Sequence, residues 1–527
     1  MELSWSEFSE NCKSRFSALA RSLFLSRERW EEKCGEYRNE VDERDGKLKS
    51  ISAELEKRNE LIALQESRIR ELEENLAAAK SDQPSVRLPA DPPLYQHQYG
   101  CRMISLSVNL AAKIGLRAAV KVLKLMFDWL GVKCEIPTWQ SIRGWMQRVG
   151  LARMNHQLKT GDTLHWLVDH SIQVGKEKVL AVVAVPSSKL PKRGQALKHE
   201  DLSLLTILPG TTWKGEDVGG VYRSLELQFG TPRSISSDGA VELHEGAKSL
   251  KKGGVRTILN RDFKHYLANQ FEALIGNSPR FSEFIQHVTS TRSAVQQTEL
   301  AHLAPRSLKP KARFMNMGSV LNWAMMLRWQ LNHPESKARQ GITAERMEAK
   351  LGWLREFDTE IQSWWECQQV ISIGVKFISE NGIFRGASKE FKKLTKDYTQ
   401  HATSCELTNR ACAFLKKHES QLRKNERLPM STEILESCFG LYKQFEGQHS
   451  KGGYTKLILA FGALLQASTP ESIRDDFDRV KVQDVKDWTD KNLPTTLTSK
   501  RQAAYHEYRN TQRNKSRKRA TVSTACT

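Results

Sequence analysis

At 527 residues the chain is long enough for two to four domains and at least one sizeable core. Lysine and arginine number 81 against 61 aspartates and glutamates, giving a formal net charge of +20 and a pI near 9.5, a surplus that suggests a polyanionic partner, nucleic acid first, rather than a merely soluble basic surface. No apolar run reaches the roughly 18 residues of a membrane span, the first residues lack the basic and apolar regions of a secretory signal, and the cysteines include no Cys-x-x-Cys pair, which excludes a zinc ribbon and a disulfide framework. A cytoplasmic protein with reduced, mostly packed thiols and no membrane partner is expected.

Residues 37–80 read as a continuous proline-free helix in which Val41, Leu48, Leu55, Ile62, Ile69 and Leu76 recur at every seventh position. Ile51 and Leu72 add a weaker seam that Arg58 and Gln65 interrupt, the pattern of a modest coiled coil or of a single helix folded back on residues 1–34. A proline-rich stretch, 81–93, serves as a linker. Residues 1–85 are therefore expected to form N-terminal helices and a coiled coil.

In residues 86–155 a helix over 116–131 ends at Gly131, and a second, 139–149, ends at Gly150. Trp139, Ile142, Met146 and Val149 share one face of the second helix, while Gln140, Arg143 and Gln147, with Arg148 beside them, present donors elsewhere. An apolar back and a Gln/Arg front fit the recognition helix of a helix-turn-helix, although any amphipathic helix pair has the same pattern.

The next section, 156–275, carries strand-like runs at 164–171, 179–185 and 202–208, a helix at 218–229, and a short strand leading to Asp238-Gly239. Asp169 lies on the first of these strands. A carboxylate there is costly to desolvate unless it is paired or coordinating, and the bland alternative is an Asp that ends a strand. Asp238-Gly239 is equally readable as a plain turn. Asp262 and His265 sit one turn apart at a helix start. Residues 276–425 then read as helical, with segments at 317–331, 344–373 and 405–424 and five tryptophans, 323, 329, 353, 364 and 365, of the kind that usually packs in cores.

Residues 426–470 contain a capped helix with Glu433 and Glu436, a basic glycine loop at 450–453 and an apolar helix at 456–466. The last segment, 471–527, is a basic C-terminal tail; from Lys500 it has eight lysines and arginines up to 519 against Glu507 alone, a run expected to be disordered and phosphate-seeking or simply a solvated tail.

Asp169, Asp238 and Glu436 fall in the order strand, strand end, late helix. Two divalent ions need carboxylates held on rigid elements, and oxygen-only ligands favour Mg²⁺ or Mn²⁺ over zinc. Glu433 is the rival third acid. Residues three apart on a helix diverge around its axis, and Glu433 lies in the first turn, where it stabilises the N-terminus, so Glu436 is preferred.

Taken together, Val168-Asp169-His170, Ser237-Asp238-Gly239, the Asp262/His265 pair and the Glu433–Lys443 helix resemble a DDE transposase of a bacterial insertion sequence. The resemblance covers roughly residues 102–466. It implies an α/β RNase H-like catalytic core with a large all-α insertion, which the helix-turn-helix domain and N-terminal coiled coil read above would precede. It also implies two Mg²⁺ or Mn²⁺ ions on Asp169, Asp238 and Glu436, and strand cleavage and transfer on double-stranded DNA, at the element's terminal inverted repeats and a target. A homodimer or higher homo-oligomer associated with the nucleoid would do this work.

Asp262/His265 is similar to a (Cys/Asp)-x-x-His signature of several transposase superfamilies. The spacing from Glu436 to Lys443 matches a Glu-x(6)-Lys motif whose lysine contacts phosphate, but Pro429 and Thr432 stand where that motif has Tyr and Arg. By analogy with transposases having helical insertions, Trp323 is the candidate for stacking on an unpaired base. The alternatives are a catalytically inactive, domesticated transposase acting as a sequence-specific DNA-binding protein, and a structural coiled-coil protein.

Overall fold

The computed structural model describes residues 26–27, 30, 89–154, 158, 161–174, 177–250, 257–307, 314, 317–333, 342–447, 454–493, 495 and 499–511. The expected coiled coil at 37–80, the glycine loop at 450–453 and the tail beyond 511 lie outside the described residues. The chain divides into two compact units, one of Met1–Pro89 with Ile275–Trp365 and the other of Ala90–Leu274 with Glu366–Thr527.

From residue 101 the larger unit runs through helices α1 (Cys101–Ile114), α2 (Leu116–Trp129) and α3 (Trp139–Met154). Strands β1 (Leu164–Val174), β2 (Glu177–Pro186) and β3 (Ser203–Gly210) follow, then helix α4 (Gly215–Phe229), strand β4 (Ser234–Ser237), helix α5 (Val241–Lys248), strand β5 (Ile258–Arg261) and helix α6 (Phe263–Ile275). The five strands form one mixed sheet in the order β3-β2-β1-β4-β5. β2 is antiparallel to β1 and β3, whereas β4 is parallel to both β1 and β5. Order and direction are compatible with the expected RNase H-like core.

β2 from Val179 onward and β1 over 164–168 are buried on both faces, which is why they read as mostly apolar runs, broken in β1 by His165. On one face Trp166 and Val168 pack with Val218, Tyr222 and Leu225 of α4 and Leu243 and Ala247 of α5. On the other, Leu167 packs with Leu435, Cys438, Phe439 and Tyr442.

The smaller unit holds helices α7 (Pro279–Val295), α8 (Met317–Asn332) and α9 (Ala344–Leu351). Its core includes Phe281 and Phe284, both edge-on to Trp364. Helix α10 (Asp358–Asn381) leads to β6 (Ile383–Phe384), α11 (Ala387–Leu394), α12 (Ala402–Glu419) and β7 (Arg427–Leu428). Beyond these come α13 (Glu433–Glu446), α14 (Ala460–Leu465), α15 (Pro470–Arg479) and α16 (Val482–Asn492). The expected 276–425 insertion is thus divided, its part from 366 onward belonging to the larger unit. The expected tail at 471 is also folded as far as 492, and residues 499–511 are helical and wholly exposed where disorder was expected. Among the described residues no helix is long and apolar enough to cross a membrane.

α3 departs most from expectation. It does not stop at Gly150, because that glycine serves a close approach: a Cβ there would collide with the Leu459 carbonyl oxygen, and one on Gly462 would lie 2.8 Å from the Gly150 carbonyl oxygen. Backbone therefore packs on backbone. Ile142, Met146 and Val149 share a core with Ile104, Val108, Ile473 and Phe477, so α3 is a central helix enclosed by elements on either side of it in sequence. Gly150→Ala should lower stability by about 3 kcal/mol or more through overpacking, read from chemical denaturation. A midpoint like wild type would show that the two backbones part freely.

Candidate active site on three parallel strands

β1, β4 and β5 run in the same direction, and β4 and β5 end level with the middle of β1, which continues to Val174. Leu167 is level with Ser236, and two more residues along the same register bring Asp169 level with Asp238 on strands about 4.8 Å apart. Ser237 is level with Arg261, and one step on, Asp238 is level with Asp262, whose N–H donates to the Ser237 carbonyl at 2.6 Å. Gly239, at φ +91°, turns the chain just beyond the strand, and the Asp238 carboxylate accepts from the Ala240 N–H at 2.9 Å. Alternation along β1 puts Asp169 on the face of Leu167, the face that α13 covers.

The chain entering α13 is tied to this edge residue by residue. Ser236 Oγ and Asn260 Nδ2 donate to the Pro429 carbonyl at 2.8 and 3.3 Å, and the Phe263 N–H donates to the Met430 carbonyl at 3.3 Å. Asp262, 1 % exposed, completes the joint. Its Oδ2 accepts from the Thr432 N–H at 2.7 Å and the Thr432 hydroxyl at 3.2 Å, while its Oδ1 accepts from the His265 N–H at 2.9 Å and faces His265 Nδ1 at 3.1 Å. Asp262 is thus fully engaged, and its work is to fasten the first turn of α13, with Glu436 in it, to the first turn of α6.

The charges at this edge are strongly coupled. Burial, then the neighbouring carboxylates of Asp238 and Glu436, push the Asp169 carboxyl up to about 7, with His265 opposing the shift. Burial would raise Asp262, but the hydrogen bonds from His265 and Thr432 hold it below its ordinary value. Burial would likewise lower His265, but Asp262, then Asp238 and Glu436, hold it above its ordinary value and favour the imidazolium. Lys264 donates to Glu436 Oε2 at 3.1 Å and lies 3.6 Å from Glu433 Oε1. Both glutamates therefore reach one lysine, so Glu433 is more than a helix-terminal charge. Glu436 is the one that Asp169 feels.

Three carboxylates, one of them driven towards protonation by burial and then by the other two, are a donor set suited to a hard divalent cation. Among the described residues, however, no three His, Cys, Asp or Glu side chains stand close enough together to hold a metal ion as they are placed. Glu436 Oε2 is engaged by Lys264.

The other sequence candidates lie elsewhere. Lys443 is exposed on α13, two turns beyond Glu436. Gln140 is exposed, and the Arg143 guanidinium lies 5.2 Å from the Trp139 ring. Gln147 and Arg148 are buried, contrary to a base-reading role. The Arg148 guanidinium donates to the carbonyls of Val480 and Phe477 and sits 4.0 Å from the Phe477 ring. Trp323 is buried, with its indole N–H donating to the Leu303 carbonyl at 2.6 Å, so it offers no free face to a base. Lys264 and Thr432 were not singled out from sequence. Lys264 lies inside the Asp262/His265 motif, and a cation in the same helical turn as that pair was the available signal.

No family model matches the chain, and no curated protein matches it. Among solved structures, a Drosophila P element transposase strand transfer complex is similar over 70% of this chain and 92% of that chain, at 11% identity and a TM-score of 0.38. A likeness that slight fixes neither activity nor partner.

Proposed function

We propose that the chain is a DNA-cleaving and strand-transferring enzyme of the DDE transposase kind, with Asp169, Asp238 and Glu436 holding Mg²⁺ or Mn²⁺, two ions in the full site. The observation that supports this most is the parallel register that sets Asp238 level with Asp169, together with the mutual electrostatic influence of Asp169, Asp238 and Glu436. Such ions supply a Lewis acid and an activated nucleophile for in-line attack on phosphorus. The chain's own groups do the positioning. Asp262 fixes α13 and favours the cationic form of His265, and His265 and Lys264 place donors beside a site that must receive a phosphodiester.

A +20 chain suits a DNA partner, the element's terminal inverted repeats and a target on this reading, and the heptads at 41–76 suit a homo-oligomer. The burial of Gln147 and Arg148 takes support from the alternative of a purely sequence-specific binder reading bases through α3. The test is cleavage of supercoiled DNA with Mg²⁺. Asp238→Asn and Glu436→Gln should abolish nicking while DNA binding remains, and nicking by either variant at the wild-type rate rejects the assignment.

The basic segment after residue 498 is assigned to non-specific contact with the DNA backbone. Helix 499–511 is exposed at every position, and a helix that short is marginal alone in water. Truncation after 498 should make the salt dependence of DNA binding shallower, by about 0.9 in log–log slope for each phosphate that the segment neutralises. An unchanged slope would remove the segment from the interface.

A further inference from the structure

Glu436 has two claimants. Across the sheet edge it faces Asp169, and on the helix side it accepts from Lys264 at 3.1 Å, with Glu433 at 3.6 Å sharing the same ammonium. Lys264 is well placed to keep its hold. It is mostly buried, it lies in the first turn of α6, and the residues beside it, Asp262 and His265, are bonded to each other and leave the lysine to the two glutamates. An ammonium offers donors and no acceptor, and here it engages Glu436 Oε2, one of the oxygens that a hard cation would use. A phosphate group is the other anion such an ammonium accepts readily.

We propose that Lys264 is a positioning residue that holds Glu436 away from the metal site until a phosphate of bound DNA takes its ammonium, so that DNA and divalent cation bind cooperatively. The proposal rests on the metal-site reading above and adds the coupling to it. Linkage makes the effect reciprocal: whatever factor DNA adds to the cation's affinity, the cation adds to the DNA's. Lys264 differs in this from Lys443, which is exposed and two turns removed from Glu436.

The experiment is a titration of the full-length protein with Mn²⁺, free Mn²⁺ being followed by electron paramagnetic resonance. It is run with and without duplex DNA, and a DNA-only blank is subtracted. Wild type should gain affinity on the order of tenfold when DNA is added, within the usual range for coupled sites. Lys264→Met should already bind Mn²⁺ at the tighter level without DNA and gain little from it, while Lys264→Arg should keep the coupling. If Lys264→Met does not give a cooperative thermal transition, Lys264→Gln is read in its place. Wild-type Mn²⁺ affinity in the uncharged variant, or a DNA effect of undiminished size, overturns the coupling. Asp238→Asn separates the two levels: if it binds Mn²⁺ as wild type does, the metal site itself is misassigned, whereas if it loses Mn²⁺ and Lys264→Met behaves as wild type, only the coupling fails.

Discussion

Asp169→Asn should inactivate the protein and at the same time stabilise its fold at neutral and alkaline pH. Loss of a metal-holding carboxylate should lower the cleavage rate by on the order of a thousandfold or more. The gain in stability follows from the environment of the same group. In the folded chain burial, then Asp238 and Glu436, push this carboxyl from 3.8 up to about 7, so between those values the native state holds a proton that the unfolded chain has released. Stability from this group is therefore full below pH 4, declines as pH rises towards 7 and stays low above it. Each pH unit between the two values costs about 1.4 kcal/mol, so the penalty at pH 8 is a few kcal/mol. Asparagine carries no charge and escapes it. Urea midpoints at pH 5 and pH 8 in the absence of divalent cations provide the check: the difference should be larger in wild type than in Asp169→Asn. Equal differences would mean that the carboxylate is not crowded by its neighbours, and the case for a shared site would weaken with it.

Asp262→Ala should be the most damaging single change to stability at this edge, costing on the order of 3–5 kcal/mol, because it leaves the half-buried His265 and the Thr432 donors without their acceptor. Thermal denaturation reads the loss directly. Asp262 is held below its ordinary value, so it contributes stability above that value that is lost as pH falls through the lowered one, the opposite sense to Asp169. Activity should fall as well, since the Thr432 bonds are what seat the first turn of α13 and hence Glu436. A variant as stable as wild type would show that the packing of Leu435, Cys438 and Phe439 alone holds the helix in place.

The sheet is largely legible in the sequence because its central strands are buried on both faces and leave apolar runs at 164–168, broken by His165, and at 179–185. β5 is not. Only Ile258 and Leu259 of its four residues are apolar, and its pairing depends on Arg233 and Ser237 of a neighbouring segment, which sequence spacing does not display. The three acids are legible as single residues, but their register is not, since it is set by parallel pairing between segments far apart in the chain.

The reading of α3 fails for a related reason. Amphipathic spacing finds the apolar side of a helix, but it cannot tell that the polar side is covered by chain some hundreds of residues later, and so the carbonyls of Phe477 and Val480 take Arg148 out of solvent. Gly150 looks like a stop for want of any sign of Leu459 against it. Trp323, in turn, follows the ordinary fate of a helical tryptophan and packs.

Anomalous diffraction from crystals of the full-length protein grown with Mn²⁺ tests the assignment most directly. Peaks within coordination distance of Asp169, Asp238 and Glu436 are expected, with the Glu436 side chain withdrawn from Lys264. Manganese bound elsewhere, or none at this edge while Lys264 still holds Glu436 in crystals that also contain DNA, would contradict it.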